Sequence, residues 1–340
     1  MLGKGAYGYV NKVNNIAVKK FNKTSHLIQE YTALKYIKDF DYCVHAVDVD
    51  YYKLELKMEL YDCSLRQWMQ NDCTCIDCVN IILTDILKGL VELQTYGLSH
   101  SDIKPGNILI KKLPLKAVLG DCGFVSIAKY SKQQRTAQSY RDLVVVNDDK
   151  HDMFSFGIVM MELVYKVKPY IKDKYSDYLK IIDKRVTSSQ HRKILRRLLN
   201  EDRTLRPSAS ETLDLLYNES YTINKVIVDK KVNIEALYEK YTKHRIINLK
   251  NLMVDVTAKL NIKRSKRGYD ALLYFLVNNQ VKNLNYYAAA TLFILASIFG
   301  NTPANMNEIF RICQINDHKK VIDHVKKLTV DDTFVKILFY

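Results

Sequence analysis

The sequence has no apolar segment long enough to cross a membrane, which takes about 18 to 20 consecutive apolar residues. Its longest apolar segment, residues 286–299, is shorter and predicts a buried helix. A secretory leader is also missing, because the chain opens on Met1-Leu2-Gly3-Lys4-Gly5 without the apolar core of a signal peptide. We therefore expect a protein that does not span a membrane and that acts inside the cell, in the cytoplasm or the nucleus.

Paired metal-binding cysteines are missing as well. Cysteine occurs seven times, an odd number. Cys73, Cys75 and Cys78, even together with Cys63, do not form two Cys-x2-Cys knuckles, so their spacing does not favour a structural zinc site. We expect free thiols in a reduced protein.

The overall composition is that of a globular protein. Apolar residues make up 48% and charged residues 26% of the 340 residues, which excludes a largely disordered chain and allows two or three domains. Lys and Arg number 52 against 37 Asp and Glu, a net charge of +15. This excess favours anionic partners, but charge alone leaves nucleotide, acidic protein and nucleic acid all open.

The densest group of reactive side chains lies in residues 100–107. Asp102 can accept a proton from a hydroxyl, Lys104 can neutralise a phosphate, and the amide of Asn107 can hold a divalent cation. A proline and a glycine directly before the asparagine place these side chains on a loop. This combination suits phosphoryl transfer, although small-molecule kinases of the aminoglycoside type have a similar pattern.

A glycine-rich stretch near the N-terminus points the same way. Residues 2–10 carry glycines at positions 3, 5 and 8 among strand-forming residues, which predicts a hairpin folded over a nucleotide. The short run Ile16-Ala17-Val18-Lys19 then brings a lysine within reach of phosphates. A Rossmann fold would instead have an apolar strand before the glycines and a helix after them, and neither is present.

Three further elements complete the pattern. A helical stripe over residues 26–38 carries Glu30, which can pair with Lys19. Residues 54–60 alternate between apolar and polar side chains and predict a half-buried strand. Asp121 follows a short apolar strand on a glycine-flanked turn, where it is the natural second metal ligand.

Six motifs in one order resemble the eukaryotic-type protein kinases over roughly residues 1–217. They are residues 3–10, Ala17-Val18-Lys19, residues 100–107, Asp121-Cys122-Gly123, residues 151–157 and Leu205-Arg206-Pro207. Lys104, two positions after Asp102, resembles the serine/threonine branch. Small-molecule kinases are not expected to carry the last two motifs. The implied fold is α+β and bilobal, with a small antiparallel β lobe and a helical lobe, over a kinase domain of residues 1–218.

The resemblance implies ATP and Mg²⁺ as the bound cofactors. Asp102 would be the catalytic base or the group that orients the substrate hydroxyl, with Lys104 and Asn107 beside it, and Asn107 and Asp121 would hold Mg²⁺. The nucleotide would be bound by the glycine loop, by the ion pair of Lys19 and Glu30, by the gatekeeper and by residues around the adenine: Gly3, Gly5, Gly8, Val10, Ala17, Lys19, Glu30, Met58, Glu59, Tyr61 and Leu109.

Three positions depart from the family pattern. Ser101 stands where an arginine usually precedes the catalytic aspartate, so a phosphorylated activation loop would lack its main anchor. Cys122 replaces the phenylalanine of the metal motif and is expected to pack in its place. The Ala-Pro-Glu motif is not recognisable, and we expect Arg206, which normally pairs with its glutamate, to find Asp142 or another acid. A pseudokinase scaffold is the alternative that such departures leave open.

The C-terminal region reads as an all-α domain over residues 233–340, after a linker over residues 219–232. Its predicted helices cover residues 246–260, 269–277, 286–299, 306–313 and 318–328. The Ala-rich third helix resembles the centre of a cyclin-type helical bundle. We expect this module to contact the small lobe or to recruit the protein substrate, and so to serve regulation or targeting.

Two observations stay open at this stage. The basic cluster Lys263-Arg264-Ser265-Lys266-Arg267 is either a solvated loop or a contact for an acidic partner, RNA or DNA. The composition, rich in Tyr, Lys, Ile and Asn, is similar to that of kinases encoded by large DNA viruses.

Overall fold

A computed structural model describes residues 1–71, 75–127, 138–144, 146, 148–169, 174–221, 251, 253–254, 257–258, 265–279, 284–299, 306–313 and 315–339. Most of the predicted linker, much of the predicted helix over residues 246–260 and the first two residues of the basic cluster lie outside the described residues.

The chain packs into two compact units that do not follow its linear order. The first unit comprises Met1–Lys38, His45–Met58 and Val226–Tyr340, and the second comprises Asp39–Val44 and Glu59–Lys225. The first strands of the predicted kinase domain and the C-terminal helices therefore share one unit. The division into domains at residues 218 and 233 stays a prediction.

A five-stranded sheet opens the first unit. Its strands are β1 (Gly3–Gly5), β2 (Gly8–Val13), β3 (Ile16–Phe21), β4 (Ala46–Asp50) and β5 (Glu55–Glu59), in the order β1-β2-β3-β5-β4. β1 pairs antiparallel with β2, β2 with β3, and β4 with β5. The hairpin predicted at the glycine loop and the strand predicted over residues 54–60 are both present.

Helix α1 (Thr24–Tyr36) lies in the same unit and begins two residues before its predicted start. Its buried residues lie on more than one face: Ser25, Leu27, Ile28, Glu30, Tyr31, Thr32, Ala33, Leu34 and Tyr36. A helix that packs only on a sheet normally leaves a polar face to solvent. α1 is therefore covered on a second side as well.

The second unit is mainly helical. Its helices are α2 (Leu65–Asn71), α3 (Ile76–Thr95), α4 (Asp149–Tyr165), α5 (Tyr175–Arg185), α6 (Ser189–Leu198) and α7 (Ala209–Tyr217). Its strands are β6 (Cys63–Ser64), β7 (Leu98–Ser99), β8 (Ile108–Lys112), β9 (Leu115–Leu119) and β10 (Ser126–Ile127). β6, β8 and β9 form one antiparallel sheet and β7 pairs with β10. The strongly apolar α3 is buried and delivers the chain to β7, directly before residues 100–107.

Local sequence explains several helix ends in this unit. Ser208 caps α7 and Glu211 bonds back to the Ser208 backbone, a reciprocal capping box. Cys75 caps α3 and is joined to Cys78 by a disulfide. The expectation of free thiols is therefore wrong for this pair.

The C-terminal helices of the first unit are α8 (Ser265–Asn278), α9 (Leu284–Phe299), α10 (Met306–Ile312), α11 (His318–Val330) and α12 (Asp332–Phe339). The Ala-rich α9 packs against α8, α10, α11 and also α1. Helix α12 was not predicted. It begins because the Asp331 carboxylate accepts the backbone N–H of Phe334 at 2.8 Å, which caps a new helix directly after α11. Among the described residues, no helix is both long and apolar enough to cross a membrane.

Candidate active site

The Asp102 carboxylate is the centre of the loop over residues 100–107, and its two oxygens differ. Oδ2 accepts hydrogen bonds from Lys104 Nζ at 2.6 Å and from Asn107 Nδ2 at 2.7 Å. Asn107 Nδ2 also donates to the main-chain oxygen of Asp102 at 2.9 Å. Oδ1 is buried and accepts no hydrogen bond from the described residues. Oδ2 is thus fixed by Lys104 and Asn107, whereas Oδ1 has no hydrogen-bond partner among the described residues.

Burial also makes this carboxylate more basic. Removal from water raises the pKa of Asp102 above its ordinary value, and this outweighs the opposing effect of the Lys104 ammonium group. The negative charge of Asp121 acts in the same direction as burial. A carboxylate with a raised pKa is a better acceptor for the proton of a hydroxyl group.

Asp152 of α4 holds the backbone in front of Asp102. Its carboxylate accepts the N–H of His100 at 2.6 Å and that of Ser101 at 2.8 Å. Burial raises the pKa of Asp152 to about 7. Ser101 has a left-handed backbone with φ of 67°, which is uncommon for a residue other than glycine. The sequence motif contained Asp152, but no local signal indicated that its side chain reaches residues 100 and 101.

Gly120 joins this loop to the turn that carries Asp121. Its N–H donates to the carbonyl oxygen of Asn107 at 2.7 Å, and its carbonyl oxygen accepts from His100 Nε2 at 3.0 Å. A Cβ at position 120 would lie 2.8 Å from the Leu109 side chain and 3.3 Å from the Asn107 carbonyl oxygen. Only glycine allows this close approach of the two segments.

Asn107 and Asp121 fit the requirements of Mg²⁺. Both offer oxygen atoms, which this cation prefers. The Asn107 amide nitrogen is used by Asp102, so its Oδ1 is the atom that remains for a cation. Asp121 has a φ of 55°, a strained backbone of the kind found at functional sites. The smaller Cys122 beside it is fully buried, as predicted for its position.

Lys19 and Glu30 form an ion pair in the first unit. Lys19 Nζ on β3 lies 2.6 Å from Glu30 Oε2 on α1. The two side chains are only 12% and 4% exposed. This is the pair predicted from the helical stripe, and it fixes an ammonium group on the sheet that carries the glycine loop.

Among the three glycines of that loop, Gly8 is the one at which a side chain would collide with a neighbouring strand. Gly5 and Gly8 face each other across the β1–β2 hairpin. A Cβ on Gly8, whose φ is 155°, would lie 1.8 Å from the carbonyl oxygen of Lys20 on β3. Gly3 and Gly5 have open space around them. The sequence pattern alone did not separate these roles.

The residues predicted around the adenine are divided between the two units. In the first unit, Ala17 and Met58 are buried and Val10 is half-buried. In the second unit, Glu59 is exposed, while Tyr61 and Leu109 are half-buried. The adenine contacts of these six residues stay predictions.

Arg206 pairs with Asp142. Asp142 was one of the acids expected as its partner, because the Ala-Pro-Glu motif is not recognisable in this chain. Arg206 Nη1 lies 2.6 Å from Asp142 Oδ2, and both side chains are fully buried. Tyr175 donates to Asp142 at 2.6 Å, and the guanidinium group lies 5.0 Å from the centre of the Phe154 ring. Asp142 is thus the acid that pairs with Arg206.

Comparison with known proteins gives a consistent result. The family model "Protein kinase domain" matches residues 1–218. The mouse interferon-induced, double-stranded RNA-activated protein kinase is 27% identical over 259 residues, covering 63% of this chain and 49% of that protein. A Wee1-like protein kinase of Arabidopsis thaliana is 31% identical over 150 residues, covering 39% of this chain and 28% of that protein.

A third relative is named as a member of the serine/threonine branch. The serine/threonine-protein kinase ELM1 of Saccharomyces cerevisiae is 27% identical over 189 residues, covering 45% of this chain and 29% of that protein. The chain spans half or less of the length of these three relatives. Since the family model covers well over half of the chain, the chain belongs to the protein kinase family.

Proposed function

We propose that the protein transfers the γ-phosphoryl group of ATP to serine and threonine hydroxyls of protein substrates. The observation that carries this proposal is the Asp102 carboxylate, whose Oδ2 is held by Lys104 and Asn107 and whose Oδ1 has no hydrogen-bond partner among the described residues. Membership of the protein kinase family and the names of several relatives support the same reaction.

The chain's own residues divide the work of the reaction. Asp102 orients the substrate hydroxyl and accepts its proton, which the raised pKa of its carboxyl group favours. Lys104 and Lys19 provide positive charge for the phosphate oxygens, and Glu30 keeps Lys19 in place. Asn107 and Asp121 would hold Mg²⁺, which when bound supplies further positive charge against the phosphates. Positioning and charge neutralisation thus account for the catalysis, without a covalent enzyme intermediate.

The choice of serine and threonine rests on two supports. Lys104 has the spacing from Asp102 that resembles the serine/threonine branch, and its ammonium group contacts the Asp102 carboxylate. Phosphoamino-acid analysis of a labelled product tests this directly. Phosphoserine and phosphothreonine are expected, and phosphotyrosine as the main product would contradict the assignment.

Activity itself is tested with the full chain, labelled ATP, Mg²⁺ and a basic or casein-like protein substrate. We expect transfer by the wild type and almost none by Asp102→Asn. Asp183→Asn, which changes an exposed aspartate on α5, is the matched control and should retain wild-type rates. Wild-type transfer no greater than that of Asp102→Asn would favour the alternative, a catalytically silent scaffold.

We further propose that the C-terminal helical module serves regulation or targeting. Support comes from the packing of α1, which carries Glu30, against helices of this module inside the first unit. Because loss of these helices would uncover α1, the test keeps the full chain: Asp332→Lys, which weakens the contact between α12 and α1, should lower the rate or change the range of substrates, and unchanged rates and substrates would contradict the proposal. The cyclin-like resemblance, an intracellular location and the similarity to viral kinases stay predictions from the sequence.

A further inference from the structure

Helix α1 is enclosed by two layers of the first unit. One side faces the sheet, where Glu30 reaches Lys19 of β3. Other parts of α1 pack against α9, α11 and α12 of the C-terminal module. Leu27, Ile28 and Leu34 are at most 1% exposed as a result. The position of Glu30 therefore depends on both layers.

An ion-pair cluster joins the C-terminal end of α1 to the start of α12. Lys35 Nζ lies 2.8 Å from Asp332 Oδ1, and Lys38 Nζ pairs with Asp332 Oδ2. Asp332 is the first residue of α12, where a negative charge is also favoured by the helix dipole. One carboxylate thus contacts two ammonium groups near the end of α1.

Aromatic contacts strengthen the same junction. The Tyr36 ring of α1 stacks on the Phe339 ring of α12, with ring centres 4.7 Å apart and planes 20° from parallel. Tyr51, in the turn between β4 and β5, shares a hydrogen bond of 2.7 Å with Thr329 of α11. Tyr31 of α1 meets the Tyr51 ring edge-on at 6.2 Å. Both ends of α12 and the end of α11 therefore fix the side of α1 that lies away from β3.

We propose that Asp332 and Phe339 are positioning residues that hold α1, and through it Glu30, against Lys19. The C-terminal module would then be a built-in activator of the same chain. Glu30 lies five residues before Lys35, about 7.5 Å along the helix axis, so a shift of the clamped end moves Glu30 as well. This inference rests on the proposed function, because it concerns the regulation of the same reaction.

The residue directly before Asp102 also favours control through α1. The arginine that would anchor a phosphorylated activation loop is replaced by Ser101, whose hydroxyl lies 3.1 Å from that of Ser99 and whose N–H is held by Asp152. A serine hydroxyl cannot replace a guanidinium group as an anchor for phosphate. Control through α1 needs no such anchor.

The size of the expected effect follows from the exposure of the cluster. The side chains of Lys35, Lys38 and Asp332 are 21%, 37% and 42% exposed, so each attraction is partly screened by water. Asp332→Lys replaces these attractions by repulsions of similar size. We expect a decrease of about five- to tenfold in kcat/KM for ATP, and a smaller decrease in Phe339→Leu, which keeps an apolar side chain.

The first test measures hydrogen exchange of the full-length chain and does not depend on activity. Asp332→Lys should speed exchange at the backbone amides of α1, and Lys35→Glu/Lys38→Glu/Asp332→Lys, which restores opposite charges, should return it towards the wild-type rate. Lys327→Glu, a charge reversal at an exposed residue of α11, is the matched control. Equal α1 exchange in wild type and Asp332→Lys would overturn the inference.

The second test separates positioning from general stabilisation by a double-mutant cycle. If Asp332 acts through Glu30, Asp332→Lys should lower kcat/KM for ATP in the wild type but cause little further loss in Glu30→Gln. Equal losses in both backgrounds, or a higher rate after Asp332→Lys, would overturn the inference. A wild type without transfer activity would instead refute the proposed function, while the exchange test would still report whether α12 holds α1.

Discussion

Asp152 shows how much a single buried carboxylate contributes to the active site. It accepts two backbone N–H groups, from His100 and Ser101, at the residues directly before Asp102. The left-handed backbone of Ser101 is held in place by one of these bonds. Asp102 therefore depends on a side chain fifty residues later in the chain.

Replacement of Asp152 tests this dependence. In Asp152→Asn, the amide group can accept through one oxygen only and turns an N–H donor towards one of the two backbone donors. We expect a loss of about 2 to 3 kcal/mol of unfolding free energy and a decrease in kcat larger than that in the matched control Asp149→Asn, on the same helix. Chemical denaturation and initial rates measure both. Full activity in Asp152→Asn would contradict the role given to Asp152.

A second prediction about a single residue concerns Gly8. A Cβ at Gly8 would collide with the Lys20 carbonyl oxygen, whereas a Cβ at Gly3 meets nothing within 4 Å. We expect Gly8→Ala to lose at least about 2 kcal/mol of unfolding free energy and Gly3→Ala to change it little. Denaturation curves of the two variants provide the comparison, and equal stabilities would show that the approach of β2 to β3 relaxes without cost.

At the scale of elements, Arg206 ties four segments of the second unit together. Besides Asp142, its guanidinium group donates to the carbonyl oxygen of Asn200 at 2.6 Å and lies near the rings of Phe154 and Tyr175. Burial alone would raise the pKa of Asp142, but hydrogen bonds from Arg206 and Tyr175 hold it below its ordinary value of 3.8. Asp142 is therefore charged in the folded protein at neutral pH.

This pair makes stability depend on pH in a defined direction. Because the folded-state pKa of Asp142 is depressed, its contribution is complete above the unfolded-state pKa of 3.8 and is lost as pH falls towards the folded-state value. We expect Asp142→Asn to lower the unfolding free energy by about 3 kcal/mol at pH 7 and by up to about 1 kcal/mol less near pH 3. Urea denaturation over this range measures the difference. Asp177→Asn on α5 is the control, and a difference that grows as pH falls would contradict the charged state given to Asp142.

The sequence predicted the elements better than the contacts between them. The pairing of Lys19 with Glu30 could be predicted because the positions of both residues follow from local periodicity and family spacing. The reach of Asp152 to Ser101, the collision at Gly8 and the cap of α12 by Asp331 could not, since they depend on backbone geometry that is set by packing. The disulfide between Cys75 and Cys78 was missed because the spacing was judged only as a zinc ligand pattern.

At the scale of the molecule, residues from both ends of the sequence build one compact unit. Most of the five-stranded sheet, α1 and the C-terminal helices belong together, although more than 160 residues of the second unit separate them in sequence. A linear division into domains could not show this, because it follows the chain and not the packing.

Because α1 and the C-terminal helices belong to one compact unit, we expect them to lose their structure together. Phe334 of α12 is fully buried and meets the Phe275 ring of α8 edge-on. We expect Phe334→Ala to cost about 3 to 5 kcal/mol and to lower the exchange protection of α1 together with that of the C-terminal helices. Native-state hydrogen exchange, resolved by peptide, measures this. Loss of protection in α12 with no change in α1 would show that the two are not one cooperative group.

We propose that the chain transfers phosphate from ATP with Asp102 as the group that receives the substrate hydroxyl. The most direct measurement is the initial rate of labelled phosphate transfer to a protein substrate by the full chain and by Asp102→Asn, at equal concentrations of ATP and Mg²⁺. We expect a wild-type rate at least about 100 times that of the variant, with phosphoserine and phosphothreonine as products. Equal rates in the two proteins would contradict this role of Asp102.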